Sequence, residues 1–180
     1  MNFFAVIDRE ASSRGLPYLV IGGYAVIAHG YPRLTFDFDL AIERTRQAGW
    51  LECVAALGYA VHHDGGSFLQ LSSTRHDWPL DFMLLNDGTF AKLSAASVER
   101  DVGGVKIRVP SVQNLIALKV HALKHTRTRR FLKDFQDVIE LVLRNKIDLA
   151  EPGIRDIFSR YGTDDLYEKV RRACHTDGGR

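Results

Sequence analysis

The sequence predicts a mixed α/β unit up to about residue 110, followed by a helical region over 111–180. Three observations carry that reading. Short apolar runs of strand length alternate with helix-period segments before residue 110, and the pattern turns wholly helical from Ser111 onward. The third is local: the segment from Gly22 to Glu43, GGYAVIAHGYPRLTFDFDLAIE, places a Gly-Gly turn before a short helix and returns into a strand bearing Asp37 and Asp39.

Residues 2–14 have helical spacing through Phe3, Phe4 and Ile7, and Gly15-Leu16-Pro17 ends the helix. Tyr18 to Ile21 is a short apolar strand that leaves through Gly22-Gly23. Tyr24 to His29 reads as a short helix stopped by Gly30 and Pro32. The Asp-bearing strand spans 36–43. Residues 46–57 form an amphipathic helix with Trp50, Leu51, Val54, Ala55 and Leu57 on one face and Gly58 as its stop. Three strands follow at 59–63, 68–73 and 80–85, the first two joined by an Asp64-Gly65-Gly66 hairpin. A second hairpin turns at Gly103-Gly104 within 98–109. Ser111 is positioned to cap a helix over 112–125, and 130–145 and 151–173 supply further helix, interrupted near Pro152-Gly153 and at Gly162. There is no internal repeat and no low-complexity segment.

The 180 residues are 46% hydrophobic and 26% charged, enough to bury a real core. A net charge of +2 gives no overall argument for a nucleic-acid partner. Cys53 and Cys174 lack metal-ligand spacing and read as two thiols in a reducing compartment. Asp8, Arg9 and Glu10 stand where a signal peptide would be apolar, and no apolar run approaches the roughly 20 residues of a membrane span. The expectation is a cytoplasmic protein with no membrane partner.

Two carboxylates separated by one residue on a strand share a face, because side chains alternate with period two. The Cα atoms of Asp37 and Asp39 are then about 6.5 Å apart, within reach of one cation or a close pair of cations. Phe36, Phe38, Leu40 and Ile42 point the opposite way, so the strand reads as buried on one side and as an open acidic ledge on the other. Asp81 in PLDFMLL is a third strand carboxylate, opposed by Leu80, Phe82 and Leu84. If the two strands pair, about 4.8 Å apart, the carboxylates repel unless a divalent cation neutralises them. Hard oxygen ligands select Mg²⁺ or Mn²⁺, and such ions hold a triphosphate for in-line displacement. An isolated strand Asp is ordinarily a solvated surface residue. Gly-Gly followed fourteen residues later by Asp-x-Asp is a more specific pattern. The glycines either serve a turn needing positive φ or let a phosphate approach backbone N–H groups.

On LVIGG…PRLTFDFDLAI with Asp81 downstream, the chain resembles the DNA-polymerase-β-like nucleotidyltransferase superfamily. The stretch PSVQNLIALKVHALKHTRTRRFLKDFQDVIEL is similar to the helical part of the abortive-infection toxins of the AbiEii type. The resemblance covers Tyr18 to Leu141. It implies the minimal nucleotidyltransferase fold, a mixed sheet with helices on one face, with the core at 1–110 and a helical region at 111–180. It further implies that Asp37, Asp39 and Asp81 bind metal and act in catalysis, with Asp81 completing the metal site or deprotonating the acceptor. By the same resemblance Gly22, Gly23, Thr35 and Lys119 contact the nucleotide. Gly23 stands where many members carry Ser, which removes one hydroxyl contact to the triphosphate.

Between Lys119 and Lys133 lie Lys124, Arg127, Arg129 and Arg130 with no acidic residue. The run is either a solvated face or a counter-charge for a triphosphate or a polyanionic acceptor such as RNA. Arg33, Arg127 and Arg130 are the substrate or phosphate candidates, although Arg33 could equally brace a carboxylate. Asp134 and Asp137 read as structural partners of these bases, with Asp134 falling in the Lys-Asp element of the toxin branch. His62 and His63 read as surface residues, and the His121/His125 pair lacks the Glu of a metalloprotease helix. Trp50 and Trp78 read as packing.

The function expected is Mg²⁺-dependent transfer of NMP from an NTP, releasing pyrophosphate, to RNA or protein in a toxin-like role with a possible cognate antitoxin. The alternatives are an antibiotic nucleotidyltransferase of the aminoglycoside or lincosamide type and a non-catalytic toxin–antitoxin binding module. A glycosyltransferase also uses Asp-x-Asp but leaves the Gly-Gly turn and Asp81 unexplained.

Overall fold

The computed structural model describes residues 3–125 and 129–177. It divides into two compact units. The first holds the residues up to Ala28 and Arg33–Ser111; the second holds His29–Pro32 and the residues from Val112 onward.

The first unit is built on a five-stranded mixed sheet. Its strands are β1 (Tyr18–Val20), β2 (Phe38–Glu43), β3 (Tyr59–Asp64), β4 (Phe68–Ser73) and β5 (Leu80–Leu85). Their order across the sheet is β1-β2-β5-β4-β3. Only β2 and β5 run parallel; every other pair is antiparallel. Phe38, Leu40, Ile42, Leu80, Phe82, Leu84, Leu69 and Leu71 are buried, as the alternation of each strand requires. Helix α1 (Phe3–Ser13) lays Phe3 and Phe4 on Phe38, with ring centroids 4.3 and 4.9 Å away. Tyr24 of helix α2 (Gly22–Ala28) stacks on the same ring at 4.8 Å. After a single 3-10 turn at Arg44–Arg46, helix α3 (Gln47–Ala56) buries Trp50 completely, 5.4 Å from the ring of Phe82. Its buried stripe is Trp50, Cys53 and Val54; Ala55 is exposed, so the thiol rather than the alanine faces the sheet. Burial pushes the Cys53 thiol up, and no disulfide joins it to Cys174. Tyr59, buried and bonded through its hydroxyl to Trp78 O, has its phenol pushed up to about 12.

Two local features depart from the sequence reading. Helix α4 (Asp87–Ala95) was not anticipated; Asn86 caps it by accepting a hydrogen bond from Thr89 N at 2.9 Å, and Phe90 and Leu93 anchor it. The strand expected from residue 36 begins at Phe38, and Phe36 is 73% exposed instead of joining the buried row. Residues 31–37 have no ladder partner, so nothing folds their apolar side chains inward. The hairpin of β6 (Val98–Val102) and β7 (Val105–Val109) forms a separate two-stranded sheet.

The second unit contains helices α5 (Val112–His125), α6 (Arg129–Arg144), α7 (Pro152–Tyr161) and α8 (Asp164–Asp177). The stretch His29–Pro32 is tied to it. Asn145 donates to His29 O at 3.1 Å, and the Arg144 guanidinium lies 5.3 Å from the centre of the Tyr31 ring. Among the described residues no helix is long and apolar enough to cross a membrane. Trp50→Ala removes the largest fully buried side chain under the sheet and is expected to cost about 3–5 kcal/mol in urea denaturation, with no comparable loss for the exposed Phe36→Ala.

Candidate active site

The end of β1 and the starts of β2 and β5 meet at one place, and sheet register decides what stands there. In the antiparallel β1–β2 pair Val20 opposes Leu40, so the next residue, Ile21, donates its N–H to Asp39 O at 2.9 Å. The chain then turns at Gly22, whose φ of +60° suits glycine. Any Cβ on Gly22 would overlap the Asp39 carboxylate. The backbone of the turn therefore lies directly against that carboxylate, an approach only a residue without a side chain permits.

Across the parallel β2–β5 ladder, Asp39 stands opposite Asp81. The two carboxylates are neighbours on one face, about 4.8 Å apart at the backbone. Asp39 is half-buried and Asp81 is only 9% exposed, so the ledge is more enclosed than alternation alone suggested. Asp37 lies one residue ahead of β2 on the extended segment, half-buried and outside the ladder. Along that segment Arg33, Thr35 and Asp37 are half-buried while Leu34 and Phe36 are exposed, the alternation of an extended chain continued out of the sheet.

Gly23 is packed against this segment. A Cβ there would overlap the Thr35 hydroxyl, lie 2.7 Å from Thr35 Cβ and 3.1 Å from Arg33 Nη1. The space that a serine side chain at position 23 would need is occupied by the Thr35 hydroxyl. Arg33 Nη1 also donates to Leu34 O at 3.1 Å, which holds the guanidinium near the turn.

The donor set is all oxygen, and a paired Asp39 and Asp81 next to a glycine turn suits a hard divalent cation. Among the described residues no three His, Cys, Asp or Glu side chains come close enough to cage a metal by themselves. The expected triad of Asp37, Asp39 and Asp81 is thus not gathered into one metal-holding cluster: Asp39 and Asp81 stand side by side, and Asp37 lies outside the ladder.

The second unit holds the other predicted residues, in a different arrangement. Lys119 is buried, its ammonium 2.6 Å from Asp134 Oδ1 and 2.8 Å from Asp137 Oδ2, and both carboxylates are buried with it. Arg130 approaches Asp134 Oδ2 at 3.7 Å from the exposed side. Lys119 therefore ties α5 to α6, which removes it from the exposed basic run; Lys124, Arg130 and Lys133 remain on the surface. Arg127 lies outside the described residues. His121 and His125 are exposed, with rings 4.9 Å apart. Desolvation, then His125 and Lys124, hold His121 below the usual imidazole range.

One relationship was not readable from the sequence. The row of Asp39 and Asp81 continues through Gln70 on β4 to His63 on β3, because Asp81 opposes Gln70 and Gln70 opposes His63. A bulge between Val61 and His63 sets the last step of that row.

No protein-family model and no curated protein sequence matches the chain. Solved structures do. The crystal structure of ANT(2'')-Ia in complex with adenylyl-2''-tobramycin is similar with a TM-score of 0.67 at 20% identity, over 88% of this chain and 97% of that one. The lincosamide antibiotic adenylyltransferase LnuA, lincomycin-bound, is similar with a TM-score of 0.55 at 18% identity, over 75% and 92%. An antigenic nucleotidyltransferase-like protein from Paracoccidioides brasiliensis matches at 0.55 and 14% identity, over 93% and 89%. The fold is that of the nucleotidyltransferases, as the Gly-Gly and Asp-x-Asp pattern implied.

Gly23→Ser is expected to destabilise the protein by about 1–3 kcal/mol through overpacking against Thr35, and adding Thr35→Ala is expected to restore most of that loss. Thermal melts of the two single variants and the double variant check this; strictly additive losses would contradict the shared space. Lys119→Met leaves two buried carboxylates without their ammonium, and a loss of about 3–5 kcal/mol is expected in urea denaturation.

Proposed function

We propose that this protein transfers an NMP group from an NTP to the hydroxyl of a small-molecule acceptor and releases pyrophosphate. The observation that carries the reading is the placement of Asp81 directly opposite Asp39, with the Gly22 backbone against Asp39. In this reading Asp37 and Asp39 hold Mg²⁺ or Mn²⁺. The cation, when bound, neutralises the triphosphate and the leaving pyrophosphate. The Gly22-Gly23 turn packs against Asp39 and Thr35, and in this reading the Thr35 hydroxyl beside it donates to a phosphate oxygen. Arg33, held beside Thr35, adds a positive charge to the same wall.

Asp81 takes the proton of the acceptor hydroxyl. The acceptor oxygen forms a bond to the α-phosphorus as the bond from that phosphorus to the α–β bridging oxygen breaks, and the electron pair leaves with pyrophosphate.

A small acceptor is favoured over a polyanion by the burial of Lys119. Its ammonium is committed to Asp134 and Asp137, which thins the basic stretch that would draw in RNA. Two of the similar solved structures are of antibiotic-modifying enzymes, which supports the same class. The toxin-like reading of the AbiEii type, with an RNA or protein acceptor and an antitoxin partner, keeps support from the exposed Lys124, Arg130 and Lys133.

Each α-labelled NTP, incubated with Mg²⁺ and tobramycin, lincomycin, cellular RNA or protein extract, tests the proposal. Label is expected in a small-molecule acceptor, and Asp81→Asn is expected to lower kcat by about 10²–10⁴-fold. Transfer that survives both Asp39→Asn and Asp81→Asn would contradict the mechanism, and label confined to RNA or protein would favour the toxin-like reading.

A further inference from the structure

The sheet places four polar side chains in one row: Asp39 on β2, Asp81 on β5, Gln70 on β4 and His63 on β3. Residues directly opposite one another on paired strands share a face, so the row is a consequence of register. The neighbouring residues of these strands confirm the assignment of faces. Leu80 and Phe82 beside Asp81, and Leu69 and Leu71 beside Gln70, are all buried on the other side. Exposure rises along the row, from buried Asp81 through half-buried Gln70 to exposed His63 on the edge strand. With strands about 4.8 Å apart, Gln70 sits one step beyond Asp81, and His63 sits about 10 Å from it.

That position has a chemical meaning if Asp81 accepts the acceptor's proton. The part of the acceptor next to the reacting hydroxyl must lie against whatever stands beside Asp81 on the side away from the metal pair. That residue is Gln70. A carboxamide both donates and accepts, so it matches a neighbouring hydroxyl or amine, groups with the same double capacity. A phosphodiester beside the reacting hydroxyl offers acceptors only, and the row sets two carboxylates and no Lys or Arg against it.

We propose that Gln70 is an acceptor-positioning residue, its carboxamide bonding the acceptor beside the hydroxyl that Asp81 deprotonates, with His63 forming the outer end of the same subsite. The inference rests on the nucleotidyl-transfer reading above and adds to it where the acceptor lies. Asp39 and Asp81 act on phosphate and proton; Gln70 and His63 act on orientation.

The test separates acceptor from nucleotide. Wild type, Gln70→Leu and His63→Ala are assayed with α-labelled ATP and Mg²⁺ for slow hydrolysis to NMP, in which water is the acceptor. The same proteins are then assayed for transfer to tobramycin, lincomycin and RNA. Gln70→Leu is expected to lower kcat/KM for the small-molecule acceptor about tenfold, and His63→Ala by a smaller factor, with the KM for ATP and the hydrolysis rate unchanged within about twofold. Gln70→Asn, which keeps the amide on a shorter stem, is expected to fall between Leu and wild type.

An equal fall in hydrolysis and transfer would make Gln70 a structural residue and overturn the proposal. Unchanged transfer in Gln70→Leu would do the same. Wild-type protein that hydrolyses ATP but modifies only RNA, or none of the probes, would overturn the acceptor subsite while leaving nucleotide chemistry in place. Wild-type protein that neither binds nor hydrolyses any NTP would instead remove the reading on which the subsite rests.

Discussion

The contact between the Gly22 backbone and the Asp39 carboxylate is the constraint on which the rest of this site depends. It exists because β1 ends antiparallel to the start of β2, which brings residue 22 alongside residue 39. It is tolerated because residue 22 has no side chain and adopts a left-handed φ. The parallel pairing of β2 with β5 then sets Asp81 beside Asp39. Two carboxylates and a bare backbone turn are thereby fixed by sheet register, on rigid strands, with no loop closure required. Thr35 and Arg33 close the wall from the segment that leads into β2.

The cost of holding two acids together is met by the packing beneath them. Phe38 and Leu40 on β2, and Leu80 and Phe82 on β5, are buried on the opposite face, where Phe3, Phe4, Tyr24 and Trp50 cover them. Each Asp is thus flanked in sequence by residues whose burial pins the strand, so a shift of register by one residue would expose the core and bury the acids. The helical unit answers a different problem. Its buried Lys119 is stabilised by two carboxylates on the next helix, a pairing that fixes how α5 and α6 meet.

Local features of the sequence were legible where one physical rule decided them. The Gly-Gly turn, the strands read at 59–63, 68–73 and 80–85, the hairpin at Gly103-Gly104 and the helical texture after Ser111 follow from alternation, turn chemistry and helical period. Helix α4 leaves little trace in the sequence, because its cap, Asn86 accepting from Thr89 N, precedes a segment of weak amphipathic pattern. Alternation carried past the point where the ladder stops puts Phe36 in the core, and the fold leaves it exposed. The nucleotide role of Lys119 rests on the resemblance alone. Asp134 and Asp137 read from the sequence as structural partners of the nearby bases, and the fold brings both within 3 Å of the Lys119 ammonium. The alignment of Gln70 and His63 with Asp81 is one of strand order, which no single strand encodes.

In the proposed mechanism Asp37 and Asp39 hold the metal end of an NTP site, and Asp81 stands beside Asp39 as the base. Titration of Mn²⁺ followed by electron paramagnetic resonance, with and without a non-hydrolysable NTP analogue, tests it without requiring an acceptor. Mn²⁺ binding is expected to tighten when the analogue is present and to weaken at least about tenfold in Asp37→Asn and in Asp39→Asn. Mn²⁺ binding of equal strength in wild type and both variants would contradict it.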